Sequence, residues 1–219
     1  MTRAYRSIQR TLSSIYSVLS KEYGPQHWWP ARTRFEVIIG AILTQNTSWP
    51  NVEKAIANLR QAGLLSVKSI NEISLSRLAK LIRPSGYYNV KASRIKNFMK
   101  FLYGTYGGNL SFMFSRDLHR LRHELLSVKG LGKETVDSIL LYAGGKPIFV
   151  VDAYTKRILS RHSLIDGGAD YDAIQGLFMD NLPRARKLYN EYHALLVKLA
   201  KDVCKSTPRC NICPIRELF

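Results

Sequence analysis

A repeat of about 3.6 residues in the apolar positions governs most of the chain. Phe35, Ile38, Ile39, Ile42 and Leu43 fall at i, i+3, i+4, i+7 and i+8, and Val52, Ala55, Ile56 and Leu59 follow the same spacing. So do Ile95, Phe98, Met99 and Leu102, and then Tyr192, Leu195, Leu196 and Leu199. Such spacing gives each helix one apolar stripe that must be buried against other helices. Turn residues separate the stripes: Gly24-Pro25, Arg83-Pro84-Ser85-Gly86, Gly107-Gly108-Asn109, Gly144-Gly145 and Gly167-Gly168. The single strand-like run, Ile148-Phe149-Val150-Val151, has no second strand to pair with and is predicted to be a buried extended connection. The expected fold is all-α, a two-lobed single unit made of many short helices.

Charge narrows the partners. Lysine and arginine total 33 against 16 acids, a net charge of +17 in 219 residues. A surplus of this size opposes compaction unless a polyanion such as DNA or RNA uses it, through release of counterions from phosphates. The basic residues are spread along the chain and form no basic amphipathic helix, which argues against a membrane surface. No apolar run approaches the roughly 18 residues of a membrane span. The opening, MTRAYRSIQRTLSSIYSVLS, lacks a secretory cleavage pattern, though its basic, acid-free character has some likeness to an organelle-targeting segment. All three cysteines, Cys204, Cys210 and Cys213, lie near the C-terminus. That number and placement exclude a disulfide-stapled secreted fold and point to a reducing compartment. The expected location is the cytoplasm or nucleoid of a prokaryotic cell.

The most informative stretch is Leu125-Leu126-Ser127-Val128-Lys129-Gly130-Leu131-Gly132-Lys133-Glu134. An amphipathic segment (Leu118, Leu121, Leu125) runs into Gly-x-Gly, and a second apolar helix follows with Val136, Ile139, Leu140 and Ala143. Glycines so spaced allow a tight turn whose backbone N–H groups face outward at a helix N-terminus, a cradle for phosphate. Lys129 and Lys133 add positive charge beside it. Most Gly-x-Gly pairs are only tight turns; the flanking lysines and the net charge favour phosphate.

The hairpin is preceded by Ile42-Leu43-Thr44-Gln45-Asn46-Thr47 and by Ser85-Gly86-Tyr87-Tyr88-Asn89-Val90-Lys91-Ala92, and followed by Pro147-Ile148-Phe149-Val150-Val151-Asp152-Ala153-Tyr154. In this order, from about Trp28 to the end, the chain resembles the helix-hairpin-helix DNA glycosylase superfamily that includes endonuclease III. Trp28-Trp29-Pro30, Leu43 to Thr47, Arg83 to Gly86 and Lys129 to Glu134 are most similar to its 3-methyladenine DNA glycosylase III branch. The resemblance implies one glycosylase unit over 1–219, with a lobe over about 30–140 ending in the hairpin, a second lobe of 1–29 plus 141–203, and a cysteine loop over 204–219. It implies a monomer acting on double-stranded DNA with a damaged base, with Asp152 in a cleft between the lobes.

Cleaving an N-glycosidic bond develops oxocarbenium-like charge on the sugar, which a carboxylate near C1′ can stabilise while it orients or deprotonates a water. By resemblance that carboxylate is Asp152; without the resemblance, an N-cap of the helix that follows would be the first reading. In bifunctional relatives a lysine just after the hairpin turn forms a Schiff base. Here the matching residue is Glu134, which cannot form an imine, so lyase activity is expected to be absent or weak. Lys133 is adjacent but turned by about 100° along a helix. Glu134 either contacts base or water, or is an ordinary first-turn acid.

An extruded base needs aromatic faces to stack on. The resemblance gives Trp28, Trp29 and Pro30 to the base pocket, with Trp49 near a position where the branch places an aromatic platform; core packing is the competing role. A cationic alkylated purine such as 3-methyladenine would gain from stacking on indole. Gln45 matches the residue that fills the gap left by the flipped nucleotide, or else hydrogen-bonds a loop. Tyr87 is either a wedge into the stack or a turn aromatic. Cys204-x5-Cys210-x2-Cys213 resembles the iron–sulfur loop of endonuclease III, with an incomplete set for a 4Fe–4S cluster: three of four cysteines, Phe219 standing where the fourth belongs. The cluster is then lost, held with another ligand, or replaced by zinc completed by Asp202 or His193.

The expected activity is a monofunctional DNA glycosylase of base excision repair. Two alternatives stay open, an endonuclease III-like glycosylase with lyase activity on oxidised pyrimidines and a lesion-binding DNA protein without catalysis. A helical adaptor of high pI is a third.

Overall fold

The computed structural model describes residues 3–219, with side chains from residue 7 onward, so the start of the basic opening lies outside the described residues. The helices are α1 (Arg3–Tyr23), α2 (Arg34–Leu43), α3 (Trp49–Gln61), α4 (Val67–Glu72), α5 (Leu75–Leu81), α6 (Tyr88–Tyr106), α7 (Leu110–Ser115), α8 (Leu118–Leu126), α9 (Lys133–Ser138), α10 (Ala153–Arg161), α11 (Tyr171–Met179) and α12 (Arg186–Asp202). Among the described residues there is no strand, and no helix is long and apolar enough to cross a membrane. Two compact units result, one of Ala31–Lys146 and one of Pro147–Phe219 with the described residues up to Pro30.

In the middle unit α2 is the central helix. Every residue from Phe35 to Leu43 is buried, and α3, α6 and α9 pack around it. The apolar stripes read from sequence, Val52 to Leu59 on α3 and Ile95 to Leu102 on α6, meet there. The buried Glu36 is satisfied by Arg60 of α3, at 2.6 Å. Side-chain caps start the short helices: Thr33, Ser66, Ser74, Asn109 and Asp117 each accept a backbone N–H of the first turn. After α9 the chain continues as a π-turn segment, Ile139–Ala143, so the second arm of the hairpin is longer than its α-helical part.

The other unit is held by aromatic packing. Phe149 stacks on Phe178 of α11 at 3.8 Å and meets the edges of Tyr189 and Tyr192 of α12. The Tyr192 hydroxyl donates to the Leu12 carbonyl of α1 at 2.8 Å. Ile148–Val151 is buried and extended without a strand partner, as its isolation in the sequence predicts. Gln175 satisfies the Phe149 carbonyl at 2.6 Å, a bond that a sheet would otherwise supply. This anchored segment fixes the start of α10 and delivers Asp152.

Candidate active site

Asp152 is the N-cap of α10. Its Oδ1 accepts the Thr155 N–H at 2.7 Å, while Oδ2 lies 3.5 Å from Nε2 of His193 on α12. The carboxylate side chain is 13% exposed. Burial pushes its pKa up, but the neighbouring His193 and the Thr155 bonds outweigh burial, and the carboxyl is held below its ordinary value. The capping role considered at the sequence level is therefore real, and it leaves the second oxygen and the charge available for chemistry.

Trp28 and Trp29 are in the same unit, both half-buried, ring edge to ring face at 6.0 Å. Trp28 also meets the His193 ring at 6.4 Å, and the Lys201 ammonium stands 5.8 Å from its centroid. Pro30 is exposed. Asp152, His193, Trp28 and Trp29 thus form one continuous group. Trp49 belongs to the other unit, where it opens α3 and donates from Nε1 to Glu53 at 2.8 Å.

The hairpin of the middle unit runs from α8 through Ser127–Gly132 into α9. Gly130 is at φ +96, a conformation side chains rarely adopt. Gly132 caps α9 at φ −91 with nothing within 4 Å of an added Cβ. Only the first glycine of the pair is required by its backbone; the expectation treated both alike. Lys129, Gly130, Gly132 and Glu134 are exposed and Lys133 half-buried, with Glu134 in the first turn of α9. Gln45 is bound into this turn. Its Nε2 donates to the Gly130 carbonyl at 3.2 Å and to Thr135 Oγ1 at 2.9 Å, and its Oε1 accepts from Arg94. Tyr87 follows Gly86 with both residues at positive φ, and its side chain is 73% exposed at the start of α6.

Several residues of this arrangement escape sequence reasoning. Arg94 holds Gln45, Asn97 donates to the Lys129 carbonyl at 2.9 Å, and the buried Lys91 ammonium donates to Leu43 and Ser85 carbonyls at 2.9 and 2.6 Å. A signal existed: Lys91, Arg94 and Asn97 recur at i, i+3 and i+6, a polar line along one side of α6. Arg122 of α8 grips the fully buried Asp137 of α9 in a two-pronged pair at 2.7 and 3.0 Å, tying the two arms of the hairpin.

The three cysteines supply three of the four thiolates that a 4Fe–4S cluster ordinarily takes, and among the described residues no three His, Cys, Asp or Glu side chains come together to hold a metal ion. The ring of Phe219, at the fourth position, lies on His162 at 4.2 Å. Nor do His193 and Asp202 complete a zinc site: His193 faces Asp152, and Asp202 pairs with Lys198 at 2.8 Å. Arginines shape the loop. Arg161 donates to Cys204 Sγ at 3.3 Å and to the Lys205 and Ser206 carbonyls, and Arg157 donates to the Cys204 and Ala200 carbonyls.

Residues 39–184 match the model of the HhH-GPD superfamily base excision DNA repair protein. The chain is 51% identical, over 93% of each sequence, to MJ1434 of Methanocaldococcus jannaschii, a DNA repair glycosylase by name alone. It resembles the crystal structure of H. pylori 3-methyladenine DNA glycosylase bound to 1,N6-ethenoadenine, with a TM-score of 0.75 and 31% identity, over 89% of this chain and 97% of the other. A non-covalent endonuclease III–DNA complex shares the fold, with a TM-score of 0.82 at 22% identity, over 96% and 94% of the two chains.

Proposed function

Because the chain belongs to the HhH-GPD superfamily of base excision DNA repair proteins, we propose that it is a monofunctional DNA glycosylase that removes an alkylated purine. The observation carrying this reading is the charged, largely buried carboxylate of Asp152 beside His193 and Trp28. The C1′–N bond breaks with its electron pair departing on the base, and the carboxylate stabilises the cationic sugar. A water oxygen then bonds to C1′ and its proton is lost to solvent. A carboxyl held below its ordinary pKa is a weak base at neutral pH, which favours charge stabilisation and water orientation over proton abstraction.

In this reading Trp28, Trp29 and Pro30 stack the flipped base, and Trp49 provides a further aromatic face. Lys129, Gly130, Gly132 and Lys133 hold phosphate, Tyr87 enters the stack, and Gln45 exchanges its bonds in the hairpin for the space the base vacates. Glu134 in place of a lysine leaves the enzyme without a Schiff-base nucleophile.

The test is incubation with duplexes carrying methylated purines or oxidised pyrimidines, resolved with and without alkaline cleavage. Free methylated purine with strand breaks only after alkali supports the reading. Strand cleavage without alkali, together with a borohydride-trapped adduct, would move it to a bifunctional lyase.

A further inference from the structure

The buried face of α12 is apolar or aromatic from Tyr189 to Val197 except for one imidazole, His193, which is 5% exposed. A polar ring placed there costs free energy unless it meets a partner. It points Nε2 at Asp152, whose first oxygen is committed to the helix cap.

Resting on the proposed role of Asp152, we infer that His193 is a positioning residue for that carboxylate: it fixes the orientation of the second oxygen and keeps it charged in a largely water-free setting. The Trp28 ring packs against the imidazole from one side, at 6.4 Å between centroids. The imidazole also couples the proposed stacking face to the reacting group, since one side chain touches both.

Other groups lie near this pair among the described residues. Thr155 of α10 supplies the cap N–H, Lys201 of α12 stands over the Trp28 ring, and the Tyr171 hydroxyl of α11 accepts the Val151 N–H at 3.4 Å, one residue before Asp152. Lys201 lies against the indole, and the tyrosine meets the backbone before Asp152. Among the contacts that pull the Asp152 carboxyl down against burial, His193 comes first. An alternative role, a ring that merely fills space beside Trp28, predicts no influence on ionisation.

The experiment measures single-turnover base release from dimethyl sulfate-treated duplex DNA between pH 4 and 8, with the Asp152→Asn rate subtracted. His193→Phe keeps the volume and removes the partner; His193→Gln keeps an N–H donor without the charge. The account expects the acid limb to move upward, so that the rate at the acid end falls about tenfold relative to native protein in His193→Phe, the effect of one pKa unit. His193→Gln should fall between. Superimposable pH profiles for native and both variants would overturn the inference. Should the variants fail to fold, 15N NMR of the histidine side chains decides: the His193 Nε2 signal must move between native protein and Asp152→Asn. An imidazole signal blind to that substitution contradicts the proposal. Failure of the underlying reading is separate, because then Asp152→Asn itself retains base release.

Discussion

Arg94 lies across Gly130. A Cβ on Gly130 would sit 2.5 Å from Arg94 Cγ, and the same arginine holds the side-chain oxygen of Gln45. The turn, the arginine and the glutamine therefore form one unit, and the glycine is required twice, by its positive φ and by the arginine stem above it.

Gly130→Ala is expected to cost about 2 kcal/mol of stability from the left-handed backbone and the displaced arginine. In gel-shift titrations it should weaken duplex affinity equally for unrelated sequences, as loss of a backbone phosphate contact must. Native affinity in a folded variant would remove the hairpin from the DNA interface.

Arg122→Ala leaves the carboxylate of Asp137 buried with its two-pronged partner gone, at a cost of about 3 kcal/mol in urea unfolding. Replacing both residues by apolar ones of similar size should recover most of that loss. A single variant as stable as the native protein would show that the pair does not lock the hairpin.

Lys91 has a pH signature. Burial, with the nearby charge of Arg94, pulls its pKa down to about 8. Between that value and the unfolded lysine value of roughly 10.4 the unfolded chain binds one more proton, so stability rises with pH across this window. Below it the lysine is charged in both states and contributes no slope. Denaturation midpoints of native protein and Lys91→Met, compared from pH 7 to 10, should diverge in that sense; parallel curves would contradict it.

Arg161→Ala removes the bonds to Cys204 Sγ and to the Lys205 and Ser206 carbonyls. Backbone amides around the cysteine loop should then exchange with solvent at least about tenfold faster, the equivalent of 1.4 kcal/mol. Unchanged exchange would mean that something other than the arginines shapes this segment.

The helices were legible because a 3.6-residue apolar period reports directly which face is buried: Phe35 to Leu43 and Tyr192 to Leu199 lie where the spacing puts them. Ile148–Val151 was legible by elimination, as a strand without a mate. Polar pairing was not. Arg122 counts in sequence as one more surface charge, yet it satisfies a buried acid on the next helix, and His193 reads as a metal ligand until α12 is packed on α10. Such partners are chosen by packing between elements distant in sequence, which local spacing does not encode. The two glycines of the hairpin look equivalent for the same reason, although only Gly130 has a neighbour overhead.

The central claim concerns the charge on Asp152, and Asp152→Asn isolates it, since the amide oxygen can still accept the Thr155 N–H. Duplex affinity and base release are measured side by side on methylated DNA. The account predicts affinity within about twofold of native and base release reduced at least about 100-fold, the lower end of what a group acting on developing charge contributes. An Asn variant that releases base at close to the native rate would contradict it.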